Sequence, residues 1–193
     1  MHESLISYIR SQSISPLTDS DIEVIKDVFV PKKLRKHQHF LQEGEVCKYS
    51  AFVVKGAMRQ YTIDDRGVEH IVRLSIENWW VVDRESYAML TPSECNIDAC
   101  EDCDLLLITK ADYVGRLITI PAVNEMTLKM YENFTIATQK RLSSIGLPAE
   151  DRYAELVKIY PEFLQRFPLH TIASYLGITK ETLSRIRSHT VKR

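Results

Sequence analysis

The residues best suited to chemistry lie near the end of this 193-residue chain. Lys180, Glu181, Thr182, Ser184, Arg185 and Arg187 fall close together. An Arg fork can pair with the two acceptors of a guanine edge, and a Glu can accept from the amino group of cytosine. Glu181 and Arg185 are four positions apart, so a helix would carry them on one face. These types in this pattern point to reading the base edges of a nucleic acid. Two weaker sets are present. His37, His39 and Glu43 combine imidazole and carboxylate, donors that suit several divalent metals. Cys100 and Cys103 form a lone C-x-x-C, and redox or metal use would require a helix N-terminus or further ligands. We expect them to be small buried side chains of a strand-turn-strand, and we assign Trp79 and Trp80 to the core. With no glycine-rich phosphate loop and no Ser/His/Asp order, neither an enzyme nor a cofactor is implied.

Certain elements must position the C-terminal cluster. In Leu169–Arg187, Ile172, Leu176, Leu183 and Ile186 can face one core, and Ala173 is small where two helices would cross. Gly177 sits where a turn between the helices can require positive φ, which is cheap only for glycine. Thr179 can cap the second helix. The spacing thus predicts two helices at 169–176 and 180–189, with a further one at 150–160. Upstream, Pro121 suits the first turn of a helix. Val123, Met126, Met130, Phe134 and Ala137 recur at threes and fours, one apolar stripe on a long helix that ends at Gly146. Residues 32–108 read instead as short strands: Ser50–Gly56, Met58–Ile63, Val68–Ile76 and Cys95–Ile108, with a hairpin turn at Asp64–Gly67. Strands so regularly punctuated suggest a small antiparallel roll. Residues 3–29 read as helical, with a cap signal at Thr18–Asp21.

Charge is unevenly spread. The chain carries −1 overall, but from Arg166 onward six Lys or Arg stand against Glu181 alone, about +5. The residues before 166 therefore carry −6. A basic tail on an acidic body suits a polyanionic partner. No apolar run near the N-terminus could act as a signal peptide, and no stretch approaches the ~18 apolar residues of a membrane span. The expected setting is cytoplasmic, with no membrane partner. Four cysteines in a chain this long do not make a disulfide framework.

Residues 171–187 resemble the helix-turn-helix of the Crp/Fnr family of bacterial transcription regulators. Lys180-Glu181-Thr182-Leu183-Ser184-Arg185 is similar to that family's recognition-helix signature. Glu43-Gly44-Glu45, Phe52-Val53-Val54-Lys55-Gly56 and Ile97 to Leu106 resemble its cyclic-nucleotide-binding-type β-roll. The resemblance implies an α+β protein with three parts: a roll with N-terminal helices at 1–120, a dimerisation helix at 121–146 and a helix-turn-helix domain at 147–193. It also implies a sequence-specific regulator that binds double-stranded DNA as a homodimer on an inverted-repeat operator. RNA polymerase and an unknown small effector in the roll are the further partners it allows. Glu181 and Arg185 would read bases, with Lys180, Thr182, Ser184 and Arg187 beside them. Arg187, Lys192 and Arg193 would mainly supply affinity. The Val123–Ala137 stripe would be the dimer contact.

The sequence departs from the family in two ways. Tyr160–Pro168 is too short for the hairpin that usually forms a β-wing, so the wing should be reduced or absent. Cyclic-nucleotide binders of the family hold phosphate with an Arg-Ser/Thr pair, where this chain has Ser93 and Glu94. The Gly-Glu that opens that cassette is also missing, since Ile76–Trp80 lies there. Control by cyclic AMP is therefore not expected. The alternative reading is a cupin-like metalloenzyme using His37, His39 and Glu43. It leaves the basic C-terminal helices without a role.

Overall fold

The computed structural model describes residues 1–190. Lys192 and Arg193, expected to contact phosphates, lie outside the described residues. Helix α1 (His2–Gln12) leads into α2 (Asp19–Val28). Thr18 starts α2 with a capping box, accepting from the Asp21 N–H while the Asp21 carboxylate accepts from the Thr18 N–H.

Eight antiparallel strands follow, in two sheets that form the roll. One sheet has the order β1 (Val30–Leu34), β8 (Cys103–Thr109), β3 (Tyr49–Lys55), β6 (Trp80–Val81). The other has the order β2 (His39–Leu41), β7 (Asn96–Ala99), β4 (Met58–Ile63), β5 (Glu69–Ser75). Short helix α3 (Arg84–Met89) sits between β6 and β7. Leu34, Leu41, Val53, Met58, Ile97 and Leu105 fill the space inside the roll. The strand ending at Lys55 must turn at Gly56, whose φ is +105°. A Cβ there would lie 2.5 Å from Cys103 Sγ and 2.8 Å from the Asp102 carbonyl, so only glycine fits. At the hairpin turn the Asp64 carboxylate accepts from the N–H groups of Arg66 and Val68.

After β8, α4 (Lys110–Asp112) runs into a π-helical turn (Tyr113–Leu117) and then α5 (Pro121–Ser144), with Pro121 in its first turn. The first turns of α5 pack Ala122, Val123 and Met126 against α1, α2 and the outer face of the first sheet, in a core with Leu5, Ile9, Ile25, Phe52 and Leu106. Trp80 joins that core beside Phe29 and Phe52, as expected of a core residue.

The stripe read as the dimer contact is turned inward. Val123 and Met126 are buried in the core of the chain itself, Met130 and Phe134 are half-buried, and only Ala137 of the stripe is exposed. Phe134 lies under the guanidinium groups of Arg73 and Arg84 from the roll. Farther along the same face, Arg141 donates to the carbonyls of Ile71 and Val72 on β5. A different face of α5 is open. Leu128, Tyr131, Thr135, Thr138, Leu142 and Ile145 alternate at threes and fours, and Leu128, Leu142 and Ile145 are 58%, 64% and 65% exposed. That spacing is the heptad of a two-helix seam.

The remaining elements are helical: α6 (Ala149–Ile159), α7 (Phe163–Arg166), α8 (Leu169–Leu176) and α9 (Lys180–Thr190). Among the described residues no strand follows Thr109, so the segment expected to lack a wing has none. It holds α7, whose Phe163 and Phe167 pack with Tyr160 and Trp79 in an aromatic cluster between the roll and the C-terminal helices. No described helix is long and apolar enough to cross a membrane.

Candidate nucleic-acid interface

Helix α8 ends at Leu176 because Gly177 adopts the left-handed conformation, φ 66° and ψ 36°. The Gly177 N–H closes back on the α8 carbonyls, a glycine C-cap. Ile178 is half-buried in the turn, and the Thr179 hydroxyl accepts from the Thr182 N–H at 3.2 Å, capping α9. Leu183 and Ile186 are buried against Ile172, Ala173 and Leu176 of α8 and against Tyr153 and Leu156 of α6. With this face of α9 fixed, Lys180, Glu181, Ser184, Arg185 and Arg187 stand exposed on the others. Thr182 differs from the expected set. It is half-buried, and its hydroxyl lies 3.0 Å from that of Thr179, inside the cap. The helix therefore presents donors and acceptors of both signs to solvent.

Several residues that hold this surface in place had no signal in the sequence. Arg166, counted above as part of the basic tail, is committed elsewhere. Its guanidinium donates to Glu77 at 2.9 and 3.0 Å and to Glu101 at 2.6 and 2.7 Å, tying α7 to the roll. The two carboxylates push the Arg166 pKa further up, Glu101 most strongly. Burial alone would raise the Glu77 pKa, but the hydrogen bonds from Arg166 and from the Gly56 N–H hold it below its usual value. On β5 the Ile71 N–H donates to Ser174 Oγ at 3.0 Å, and the Ser174 hydroxyl donates to the Glu69 carbonyl at 3.0 Å. Helix α8 thereby docks on the edge strand of the second sheet. Arg141 of α5 adds a bond to the Tyr175 carbonyl at 3.4 Å. These partners are 34 to 105 residues apart, and no local pattern could have paired them.

Ser93 is the residue that the resemblance sets against the Arg of the family's phosphate-holding pair. It is buried, and its hydroxyl donates to Asp83 Oδ2 at 2.5 Å. The same Asp83 carboxylate caps α3 by accepting from the Glu85 and Ser86 N–H groups. Glu94 points to solvent. The hydrogen-bond partner of Ser93 is thus a buried carboxylate rather than a cation, a poor setting for a phosphate.

The remaining candidates do not assemble. His37 and His39 are exposed, His37 with a left-handed backbone. His39 Nε2 lies 3.4 Å from the Tyr61 hydroxyl, and the Glu43 N–H donates to the Asn96 side chain. Among the described residues no three His, Cys, Asp or Glu side chains gather to hold a metal. All four cysteines are free thiols. Burial pushes Cys100 up to about 12 and Cys103 up to about 11, so neither is a thiolate at neutral pH. Trp79 belongs to the aromatic cluster beneath the C-terminal helices. It meets Tyr160 edge-on, ring centroids 5.4 Å apart, under the C-terminal helices.

Residues 31–117 match the family of cyclic nucleotide-binding domains. No curated protein sequence is a significant match to the chain. Among solved structures, FixK2 from Bradyrhizobium japonicum aligns over 86% of this chain and 85% of its own, with a TM-score of 0.70 at 19% identity. A Crp/Fnr-family transcriptional regulator from Eubacterium rectale aligns over 91% and 85%, with a TM-score of 0.65 at 19% identity. The c-di-GMP-responsive global regulator Clp of Xanthomonas campestris aligns over 91% and 92%, with a TM-score of 0.65 at 12% identity. The chain thus shares the fold of these regulators, and its residues 31–117 are similar to cyclic nucleotide-binding domains. At these identities the likeness is one of fold.

Proposed function

We propose that this chain is a homodimeric, sequence-specific DNA-binding transcription regulator of the Crp/Fnr type, with no catalytic role and no control by cyclic AMP. The observation that carries the reading is the outer surface of α9. Glu181 and Arg185 stand exposed one turn apart, and among the described residues neither side chain has a hydrogen-bond or ion-pair partner. An uncommitted acid and base at this spacing suit direct readout in the major groove. Lys180 and Ser184 flank them, and Thr182 acts chiefly by capping. Arg187 lies toward the end of α9, where contact with phosphate is more natural than contact with bases. In this reading the roll and N-terminal helices occupy about 1–120, α5 joins two copies, and the C-terminal helices meet DNA.

The test is a randomised-site selection on the wild type and on Arg185→Ala and Arg187→Ala, with salt titrations on the best site. Arg185→Ala should cost about 1–3 kcal/mol at the selected site and relax the preference at one base pair per half-site. Arg187→Ala should weaken all sequences alike and reduce the salt slope by about one unit. A wild type that selects no consensus would sink the proposal. A consensus unchanged by Arg185→Ala would show that another face of α9 enters the groove.

A further inference from the structure

Among the described residues, no acid pairs with either of two arginines of the roll. Arg84, the first residue of α3, lies over the Phe134 ring at 3.6 Å and near Tyr131 at 5.0 Å. Arg73 of β5 lies over the same Phe134 ring at 5.0 Å. Both are half-buried, and the Arg84 Nε is buried with no hydrogen-bond partner. Each feels the field of its surroundings. Burial, and then the charge of Arg84, push Arg73 down to about 10, and burial lowers Arg84 too. The other groups facing Arg73 are the phenols of Tyr175 and Tyr160. Asp83, next to Arg84 in sequence, is turned to Ser93 and to the N-terminus of α3.

Two other half-buried arginines, one on β4 and one on α7, are paired with acids. Arg59 is held by Asp98 and Glu69, and Arg166 by Glu77 and Glu101. A guanidinium does not shed its proton in a protein, so burial is normally met by pairing. Stacking on Phe134 is favourable but leaves the charge in place. Two like charges sharing one ring, with five N–H donors apiece and no carboxylate, lack an anion.

We propose that Arg73 and Arg84 form an oxyanion site, which grips the phosphate or carboxylate group of a small metabolite where β5, α3 and α5 meet. It is distinct from the Ser93 position, where the lining is acidic. Its placement gives it reach. Arg73 shares β5 with the Ser174 dock of α8, and Tyr131 belongs to the open seam of α5. An anion held here touches the strand that seats the C-terminal helices and the helix assigned above to the dimer.

The test uses the full chain, with inorganic phosphate and citrate as probes and chloride at matched ionic strength as control. Calorimetric titration and thermal melts should show saturable binding and a rise in Tm with at least one probe and none with chloride. A response to phosphate alone marks a phosphoryl ligand, and a response to citrate alone marks a carboxylate. Arg73→Gln and Arg84→Gln should each raise the half-saturating concentration about tenfold or more, the loss of a charge-assisted partner. Arg84→Lys should retain part of the response, because it keeps the charge and loses the fork. No saturable binding of either probe to the wild type overturns the site, and this arm needs no variant to fold. Unchanged binding in folded Gln variants also overturns it. The titration contains no DNA, so its failure is separate from failure of the DNA-binding reading.

Discussion

The Ser93 hydroxyl donates to a buried carboxylate, and that contact bears on what the roll could hold. A cyclic nucleotide bound as the resemblance implies would bring its phosphate beside Ser93 and its partner Asp83. With no cation there, the phosphate would lose its water and meet a like charge, a cost of several kcal/mol. Calorimetry with cyclic AMP and cyclic GMP should therefore give no heat of binding at micromolar ligand. Micromolar affinity for either would mean that the Ser93–Asp83 pair opens to admit the phosphate. The candidate pair Ser93 and Glu94 was legible in the sequence, by counting back from Ile97 to where the resemblance places an Arg-Ser/Thr pair. The partner Asp83 was not, since nothing local links it to a serine ten residues on. Thr182 illustrates the same limit. Its type suited a base contact, and only the Thr179 cap shows where its hydroxyl goes.

Among the elements, α5 separates what a sequence can reveal from what it cannot. The helix, its Pro121 start and its end before Gly146 follow from local rules. Its facing does not, because the helix carries two apolar stripes. The inner one, Val123 to Phe134, has larger and less interrupted residues and so reads as the stronger. The roll claims it. The seam Leu128, Tyr131, Thr135, Thr138, Leu142 and Ile145 contains two threonines, which weaken the pattern, yet this is the face left open. An exposed apolar strip of this length suits a partner helix. Leu128→Asp with Leu142→Asp should give a folded monomer by light scattering, with an unchanged circular dichroism spectrum. Met130→Asp with Phe134→Asp should instead lower the Tm of the protomer, because it strips the ring from beneath Arg73 and Arg84. If the seam variant remains a dimer, the subunits meet elsewhere. Arg166 makes the converse point. Its charge placed it with the basic tail, and only the folded chain brings Glu77 and Glu101 around it.

At the scale of the whole molecule, that clasp should give the docking of the C-terminal helices an acid limit. The Glu77 carboxyl titrates below its usual value when folded, so its contribution is full above the unfolded carboxylate range. The contribution fades as pH falls through the lower folded value. Emission from Trp79, which lies under Tyr160 and Phe163, should therefore hold steady near neutrality and change only in acid. Arg166→Met should show the changed emission already at neutral pH. An Arg166→Met spectrum identical to wild type at all pH values would mean that the aromatic cluster and the Ser174 dock suffice without the clasp.

The same docking bears on how two copies would span an operator. In each protomer α9 is packed on α8, and α8 is seated on β5 by Ser174. Arg141 then ties that strand to α5. If α5 forms the seam, the distance between the two α9 helices is fixed by a chain of packed contacts rather than by a linker. Such a dimer should prefer an inverted repeat with half-site centres about 34 Å apart, one duplex turn. Lengthening the spacer by half a turn should abolish binding, because one helix then faces the wrong side of the duplex. A full-turn insertion restores the facing but not the distance, so it should fail as well. Arg166→Met loosens one link and should tolerate changes of one or two base pairs better than the wild type, at some loss of affinity for the best spacing. Gel-shift affinities over a spacer series, for both proteins at one salt concentration, give the answer. A wild type indifferent to spacing would mean that each α9 binds alone, and the rigid-dimer account would fall even if Arg185 still reads its base.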